Sequence, residues 1–178
     1  FFRAQGWDID LKAHHRRGGR ILGLCGGYQM LGREIRDPQG IESQQRSIQG
    51  LGLLDIETEM QPEKTLALTD ATYLPTGDPV TGYEIHVGVT NGPDCGRAWL
   101  DIAGRPEGAA SPDGLIRGCY LHGIFAANRF RFSFLKDFGV ASATNYAQDI
   151  QQVLDALADQ LENQLDLDHL LSLARPVT

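Results

Sequence analysis

Apolar runs of strand length alternate with polar turns and helical patterns along most of the chain. The apolar run at residues 20–24 has the length of a buried strand, and after a glycine-rich turn helical character resumes at residues 28–33. A strand, a tight turn and a helix in this order indicate an α/β domain. Further strands are predicted at residues 51–59, 80–89, 97–102 and 114–121, and further helices at residues 8–17 and 130–138.

The last part of the chain combines helical periodicity with an acidic composition. Between Asp137 and Ala174 there are seven acidic residues and no Lys or Arg. Apolar residues three and four apart predict one amphipathic helix, with a break near residues 165–168. These apolar positions are Ile150, Val153, Leu154, Leu157, Leu161 and Leu165. Such a face either covers the core of the domain or docks onto a missing segment or another subunit.

The overall composition narrows the class of protein. With 178 residues, 42% hydrophobic and 22% charged, the chain can bury a core as one domain, which we place at residues 1–178. No apolar run is long enough to cross a bilayer, and the net charge of -7 argues against nucleic acid as a partner. Three cysteines without a Cys-x-x-Cys pair argue against a disulfide framework and a structural zinc site. We therefore expect a cytoplasmic domain with no membrane, nucleic acid or metal partner.

The strongest candidate for chemistry is Cys25, in the segment GLCGG at residues 23–27. This segment has the form of a nucleophile elbow, with Cys where hydrolases place Ser. A side chain on such a sharp turn needs small neighbours, which Gly23, Gly26 and Gly27 would supply. The N-terminus of the following helix favours the thiolate, and the backbone N–H of Gly26 would face a developing oxyanion. We predict a nucleophilic Cys25; the alternative is a buried, inert cysteine.

A thiolate that attacks an amide or an ester needs a proton donor for the leaving group. Among the histidines, His14 and His15 lie in a basic patch predicted to be exposed, and His169 lies in the acidic C-terminal segment. His86 and His122 each end a strand-like segment near glycine, so both are candidates. The pattern by itself does not choose between these two histidines.

Several segments together resemble class I (triad-type) glutamine amidotransferases, and within them the branch that acts in cobalamin biosynthesis. The segments are residues 21–32 (ILGLCGGYQMLG), 50–55 (GLGLLD), 82–86 (GYEIH) and 120–125 (YLHGIF). The opening residues 3–8 (RAQGWD) and the pair Asp37-Pro38 agree with this branch as well. The resemblance covers nearly the whole chain, with the segments in the same order as in the family.

The resemblance implies a role for individual residues of this chain. It places the nucleophile on Cys25, the catalytic histidine on His122, and binding of the substrate glutamine on Gln29, four residues after the nucleophile. The segment 82–86 is a signature of the family that would shape the glutamine pocket or a docking face. The side chains expected to take part in it are Tyr83, Glu84 and His86.

Two positions depart from the pattern of the family. Many class I amidotransferases place a carboxylate two residues after the histidine to complete a triad, whereas this chain has Ile124 there. The cobalamin branch commonly lacks that acid, so the resemblance implies a Cys–His dyad and leaves open what orients His122. Cys119 stands where relatives often have Thr, and we interpret it as a small buried residue and not as a second nucleophile.

The resemblance also implies a partner and a fold. The fold would be α/β, a mostly parallel sheet flanked by helices, class I glutamine amidotransferase-like and incomplete at its N-terminus. The chain begins inside a helical pattern without Met, so we expect a longer polypeptide whose N-terminal domain binds ATP and Mg²⁺ and amidates carboxylates of a corrin substrate. No Gly-x-x-x-x-Gly-Lys-[Ser/Thr] segment occurs here, so we expect no cofactor in this chain. The loop that supplies the second oxyanion donor in the family would also precede Phe1.

Two other functions compete with this interpretation. An amidotransferase subunit that amidates a lipid-linked cell-wall precursor shares the Cys-Gly-Gly-Tyr-Gln and Tyr-Leu-His-Gly strings, although the 82–86 segment and the opening favour the corrin enzyme. A non-catalytic docking module would not need Cys25, Gln29 and His122 intact. A homo-oligomer is compatible with the sequence and is not indicated by it.

Overall fold

The computed structural model describes residues 1–140 and 146–173. Its α-helices are α1 (Trp7–Arg16), α2 (Gly26–Leu31), α3 (Asn128–Lys136), α4 (Tyr146–Gln164) and α5 (Leu167–Leu173). Short 3-10 turns lie at Arg3–Gln5, Pro93–Arg97 and Ile124–Ala126. The helices predicted at residues 8–17, 28–33 and 130–138 are confirmed to within two residues at each end.

The strands form two sheets. The strands are β1 (Ile21–Leu24), β2 (Glu34–Arg36), β3 (Ser47–Gln49), β4 (Glu57–Tyr73), β5 (Asp78–Asn91), β6 (Leu100–Ile102), β7 (Arg105–Glu107), β8 (Ala109–Ala110), β9 (Ile116–Cys119) and β10 (Leu121–His122). One sheet has three strands in the order β1-β9-β8. The other has seven strands and contains the path β10-β5-β4-β2-β3, with β6 paired to β4 and to β7.

The α/β class is confirmed, but the mostly parallel sheet is not. Among the described residues only two of the eight strand pairings, β1 with β9 and β2 with β4, are parallel. Neighbouring parallel strands need a crossover of about a dozen residues or more, whereas a short turn joins antiparallel strands. Because short turns connect most strands from β4 to β9, antiparallel pairing dominates.

The predicted strand at residues 51–59 is wrong over most of its length. The strand there, β4, begins only at Glu57 and continues to Tyr73 as one arm of a long hairpin with β5. Leu51, Leu54 and Ile56, which precede it, are buried because the loop packs on the end of α2. The backbone N–H groups of Leu53 and Leu54 both donate to the carbonyl oxygen of Leu31 at 2.9 Å.

Two other strand predictions need new boundaries. The segment 97–102 is a strand only from Leu100 onward, because a 3-10 turn ends at Arg97 and the strand pairing begins at Leu100. The segment 114–121 divides at Tyr120 into β9 and β10, which belong to different sheets. The backbone N–H of Tyr120 donates to the Glu107 carboxylate at 2.8 Å. This side-chain acceptor replaces a strand partner and marks the point where the chain changes sheets.

Two hydrophobic clusters meet along β9 and β10. One contains the aromatic side chains of Tyr73, Trp99, Phe130 and Phe134, together with Leu121. The other contains, in order, Tyr28, Leu31, Leu54, Ile56, Ile116 and Tyr120. Successive residues of the segment before His122 therefore enter opposite clusters, which anchors the backbone that carries this histidine.

The C-terminal helical prediction is confirmed, including its break between α4 and α5, but its expected role is not. Every described side chain from residue 148 to residue 173 is exposed, so this apolar face does not cover the core. The alternative, docking onto another segment or subunit, stays a prediction. None of the helices in the described part of the chain combines the length and apolar character needed to cross a bilayer.

Candidate active site

Cys25 lies at a sharp junction between β1 and α2. Its backbone has φ 52° and ψ -115°, a left-handed φ that a non-glycine residue rarely adopts. Strained backbone of this kind occurs at functional sites, and a strand-to-helix elbow presents the side chain of its central residue. The nucleophile elbow predicted from the sequence is therefore present as a backbone shape.

The glycines around Cys25 do not all have the purpose predicted for them. A Cβ on Gly23 would lie 2.7 Å from the carbonyl oxygen of Gly27 and 2.6 Å from Leu31, so this glycine permits a close approach. A Cβ on Gly26 or Gly27 would meet no described atom within 4 Å. Of these three glycines, only Gly23 is required for space against the described atoms. Gly26 is the first residue of α2, so its N–H has no acceptor within the helix.

The thiol of Cys25 contacts the wall formed by β5. Its Sγ donates a hydrogen bond to the carbonyl oxygen of Ile85 at 3.4 Å, and the side chain is half-buried. The backbone N–H of Cys25 donates to the carbonyl oxygen of Cys119 at 2.9 Å, which continues the parallel pairing of β1 with β9. Within the described residues the thiol and the His122 ring are not hydrogen-bonded to each other.

His122 reaches the same edge of the structure as Cys25. Cys25 directly follows β1, and His122 follows the neighbouring parallel strand β9 after two residues. The imidazole Nε2 atom is buried and has no hydrogen-bond partner among the described residues. Ile124, at the position of the missing acid, is fully buried. The Nε2 atom of His122 is therefore not engaged by another protein group in the described part of the chain.

A glycine of the 82–86 segment brings β5 close to this histidine. A Cβ on Gly82 would lie 2.4 Å from the backbone carbonyl oxygen of His122. Real Cβ atoms are not found at that distance from a backbone atom, so any larger residue would displace β10. The sequence pattern marked Gly82 as part of a signature; the structure gives the physical reason.

His86, the other candidate histidine, has partners for both ring nitrogens. Its ring stacks on Tyr120 with centroids 3.8 Å apart and planes 15° apart. The Nδ1 atom lies 3.1 Å from the carbonyl oxygen of Gly88, and Nε2 lies 3.7 Å from a Glu84 carboxylate oxygen. The structure thus separates the two candidates, because the ring nitrogens of His86 face protein groups and Nε2 of His122 does not.

Glu84 belongs to an ionic network that the sequence did not reveal, in which the exposed Arg105 bonds two buried carboxylates. Both Glu84 carboxylate oxygens accept hydrogen bonds from Arg105 at 2.9 Å, and the same guanidinium donates to Glu107 at 3.1 Å. Burial raises the pKa of the Glu107 carboxyl, and hydrogen bonding from Tyr120 N–H and the charge of Arg105 oppose that rise. The predicted glutamine-pocket role of Glu84 therefore competes with a structural one. The network ties β5, β7 and the turn before His122 together.

Gln29 is buried, and its amide group is engaged by the protein. Its Nε2 atom donates to the carbonyl oxygen of Val87 at 3.2 Å and to the Tyr120 hydroxyl at 3.3 Å. The Tyr120 hydroxyl is also 2.5 Å from the hydroxyl of Thr90. Tyr120 lies within the YLHG string, but no sequence signal indicated that it would contact Gln29.

The contacts of residues 82–87 give a physical reason for the signature in this part of β5. Three consecutive odd-numbered positions of β5 each contact one candidate residue of the site. The ring of Tyr83 stacks on His122, the Ile85 carbonyl accepts from Cys25, and the Val87 carbonyl accepts from Gln29. The sequence offered a pocket or a docking face for this segment; the structure shows it as the wall behind the candidate site.

The other two cysteines lie in less reactive environments. Cys119 is fully buried, and burial raises the pKa of its thiol. Burial also raises the pKa of the half-buried Cys95, whose Sγ lies 3.8 Å from the hydroxyl of Tyr28. The interpretation of Cys119 as a small core residue agrees with this placement. Across residues 1–140 and 146–173 no group of three or more His, Cys, Asp or Glu side chains could hold a metal ion.

The fold and the site define a class of protein. An α/β domain with a cysteine on a strand-to-helix elbow and a histidine at the end of the adjoining parallel strand is typical of class I glutamine amidotransferase domains. The profile of the CobB/CobQ-like glutamine amidotransferase domain matches residues 1–130, and the chain belongs to that family. The family predicted from the sequence is confirmed.

Curated relatives narrow the family further. The chain is 55% identical to a cobyric acid synthase of Cereibacter sphaeroides over 98% of its length, which is 37% of that relative. It is 56% identical to the cobyric acid synthases of Paracoccus denitrificans and Methylorubrum populi, over 98% and 99% of this chain and 36% and 37% of those proteins. The chain thus spans little more than a third of the relatives it matches. These likenesses do not favour the cell-wall alternative.

Proposed function

We propose that this chain is the glutamine-hydrolysing part of a cobyric acid synthase, which supplies ammonia for amidation of corrin carboxylates. The observation that carries the proposal is that Cys25 directly follows β1 and His122 follows the neighbouring parallel strand β9 after two residues, in a chain of this family. The high identity to cobyric acid synthases supports the corrin substrate. The reaction beyond glutamine hydrolysis would depend on the parts of those relatives that this chain does not match.

In the proposed mechanism the Cys25 thiolate attacks the side-chain carboxamide carbon of glutamine. A bond forms between sulfur and carbon, the carbon–nitrogen bond breaks, and protonated His122 gives its proton to the departing ammonia. The neutral imidazole then takes a proton from water, which attacks the γ-glutamyl thioester. Glutamate and the free thiol are released. The unpartnered Nε2 atom of His122 supports this assignment of the proton transfers.

The oxyanion formed in both steps needs hydrogen-bond donors. We propose the backbone N–H of Gly26 as one of them, because this group is free at the start of α2. In related amidotransferases, as the sequence resemblance implies, a second donor comes from a loop before the nucleophile segment. One such donor contributes a factor of about 10² to 10³ to kcat.

Glutamine would be held against β5. We propose that Gln29 supports its binding in two ways. First, its amide nitrogen holds the Val87 carbonyl and the Tyr120 hydroxyl in place by donating a hydrogen bond to each. Second, its Oε1 atom makes no hydrogen bond among the described residues and can accept a hydrogen bond from the α-ammonium group of the substrate glutamine. Glu84 and His86 would act at a distance, by holding the wall of the pocket.

Ammonia would pass to a carboxylate that a partner domain activates with ATP and Mg²⁺. We assign no residue of this chain to either of these cofactors. We propose that the partner is the N-terminal portion of the same polypeptide, because the curated relatives are nearly three times as long as the region matched. If this chain only releases ammonia and the partner domain activates the carboxylate, free ammonia added to the assay should replace the ammonia that Cys25 releases from glutamine.

The experiment that tests the proposal compares two nitrogen sources in the full-length enzyme. Cys25→Ser should abolish glutamine-dependent amidation and leave ammonia-dependent amidation largely intact. Cys95→Ser is the matched control, because Cys95 lies outside the candidate dyad, and it should retain both activities. Equal loss of both activities in a folded Cys25→Ser enzyme would overturn the proposal.

A further inference from the structure

The ring of Tyr83 lies parallel to the imidazole of His122. The two ring centroids are 5.2 Å apart and the planes differ by 6°. This is the offset-stacked geometry that aromatic rings favour. The contact follows from the backbone, because His122 in β10 is directly opposite Tyr83 in β5. Directly opposite residues of an antiparallel pair project to the same face.

The imidazole lacks the carboxylate partner that a triad would provide. The two nearby buried carboxylates, Glu84 and Glu107, are both bonded to Arg105, and neither forms an ion pair with His122 in the described part of the chain. The Nε2 atom of His122 has no hydrogen-bond partner there. The stack on Tyr83 is therefore the interaction that the structure provides to orient this ring.

An aromatic ring against one face of an imidazole restricts rotation about the bond between Cβ and the ring, because other orientations lose the stacked contact. A ring held in this way keeps its nitrogens in one direction, which proton transfer to a leaving group requires.

We propose that Tyr83 is the positioning residue that orients His122, in the place of the acid that is missing at Ile124. This inference rests on the proposed glutamine hydrolysis and deepens it. Tyr83 is 42% exposed, so its ring contributes little to the core and its main described contact is with the histidine. Gly123, with φ 74°, lets the chain turn away directly after His122, and a Cβ there would lie 3.5 Å from the Tyr83 ring.

The first test is kinetic and uses the full-length enzyme. Tyr83→Leu should lower kcat of glutamine hydrolysis roughly 10- to 100-fold while KM stays within about twofold, because a misplaced acid–base group slows the chemistry and not the binding. Tyr83→Phe keeps the ring and should restore kcat to near the parental value. Leu68→Ala is the matched control, because Leu68 is directly opposite Tyr83 on β4, is 83% exposed and should leave kcat unchanged.

The second test needs no turnover. In enzyme labelled with ¹³C-histidine, ring current from Tyr83 should shift the His122 ring-proton signal upfield, and a His122→Asn variant assigns that signal. The upfield shift should persist in Tyr83→Phe and disappear in Tyr83→Leu. If the parental enzyme shows the shift but hydrolyses no glutamine, the proposed function fails and the stacking stands. Unchanged kcat in Tyr83→Leu, or equal loss in Tyr83→Phe and Tyr83→Leu, would overturn the positioning role.

Discussion

The thiol of Cys25 donates a hydrogen bond to the carbonyl oxygen of Ile85, at 3.4 Å, and not to His122. The proposed nucleophile thus rests against the wall of β5, and its proton must be released before it attacks. Catalytic hydrogen bonds are often long or absent without substrate and tighten when substrate binds.

Alkylation should separate the three cysteines. At pH 7.5 iodoacetamide should modify Cys25 before Cys95 and Cys119, because burial raises the pKa of the latter two thiols and keeps them neutral. Raising the pH should increase modification of Cys95 before that of the fully buried Cys119. Mass-spectrometric mapping of a time course checks this order. Modification of Cys119 first in folded protein would contradict the assignment of the elbow.

The two histidines should differ in what their loss affects. His122→Ala in the full-length enzyme should lower kcat of glutamine hydrolysis by about 10² to 10⁴, the contribution of a positioned acid–base group. His86→Ala should have a smaller effect on kcat and should reduce stability, because the stack on Tyr120 is lost. Steady-state kinetics and urea unfolding of both variants measure this difference. The reverse order of kcat losses would assign the proton transfers to His86.

Gly82→Ala should disturb the site through the backbone. The added Cβ would lie 2.4 Å from the carbonyl oxygen of His122, so β10 must move. We expect a loss of about 1 to 3 kcal/mol in unfolding free energy, as for other overpacked positions, and a lower kcat. Gly96→Ala is the control, because a Cβ at Gly96 meets nothing within 4 Å. Equal stability and kcat in the two variants would show that the close approach is not required.

Asp113 should give the domain an acid-sensitive component of stability. Hydrogen bonds from Ser111, Leu115 N–H and His15 lower its pKa to about 2 from the usual 3.8, with Ser111 the largest cause. Because the folded-state pKa is depressed, this stabilisation is present above about pH 3.8 and is lost as the pH falls toward 2. Asp113→Asn should therefore be less stable than the parental protein at pH 6, with a smaller difference near pH 2. Asp159→Asn serves as an exposed control in thermal unfolding across this range.

The long hairpin of β4 and β5 shows where sequence patterns were insufficient. Residues 60–70 of β4 are largely polar or exposed, so no alternation pointed to a strand between residues 60 and 79. Alternation over residues 51–59 predicted a strand, but residues 51–56 form a loop that packs on α2. Pairing across the hairpin, for example of Leu66 with Ile85, made the strand. A periodicity that reports burial does not by itself report which backbone groups are paired.

The sequence determined by itself the features that depend on neighbouring residues. The elbow at Cys25 follows from Gly23 and the strand before it, and the face of α3 follows from Phe130 and Phe134, which are both buried. Steric room and helical periodicity act over a few residues, so a local pattern contains them. The family resemblance likewise rests on short segments of consecutive residues, which are visible in the sequence without the structure.

Only the tertiary structure decided which groups surround each of the two candidate histidines. His86 and His122 have similar local sequences, but Glu84, Gly88 and Tyr120 surround the first, whereas Tyr83 faces the second. Those partners depend on strand pairings between residues up to tens of positions apart. Such long-range register leaves no periodic signal in the chain, because it is set by backbone hydrogen bonds and close packing that form only when the domain folds.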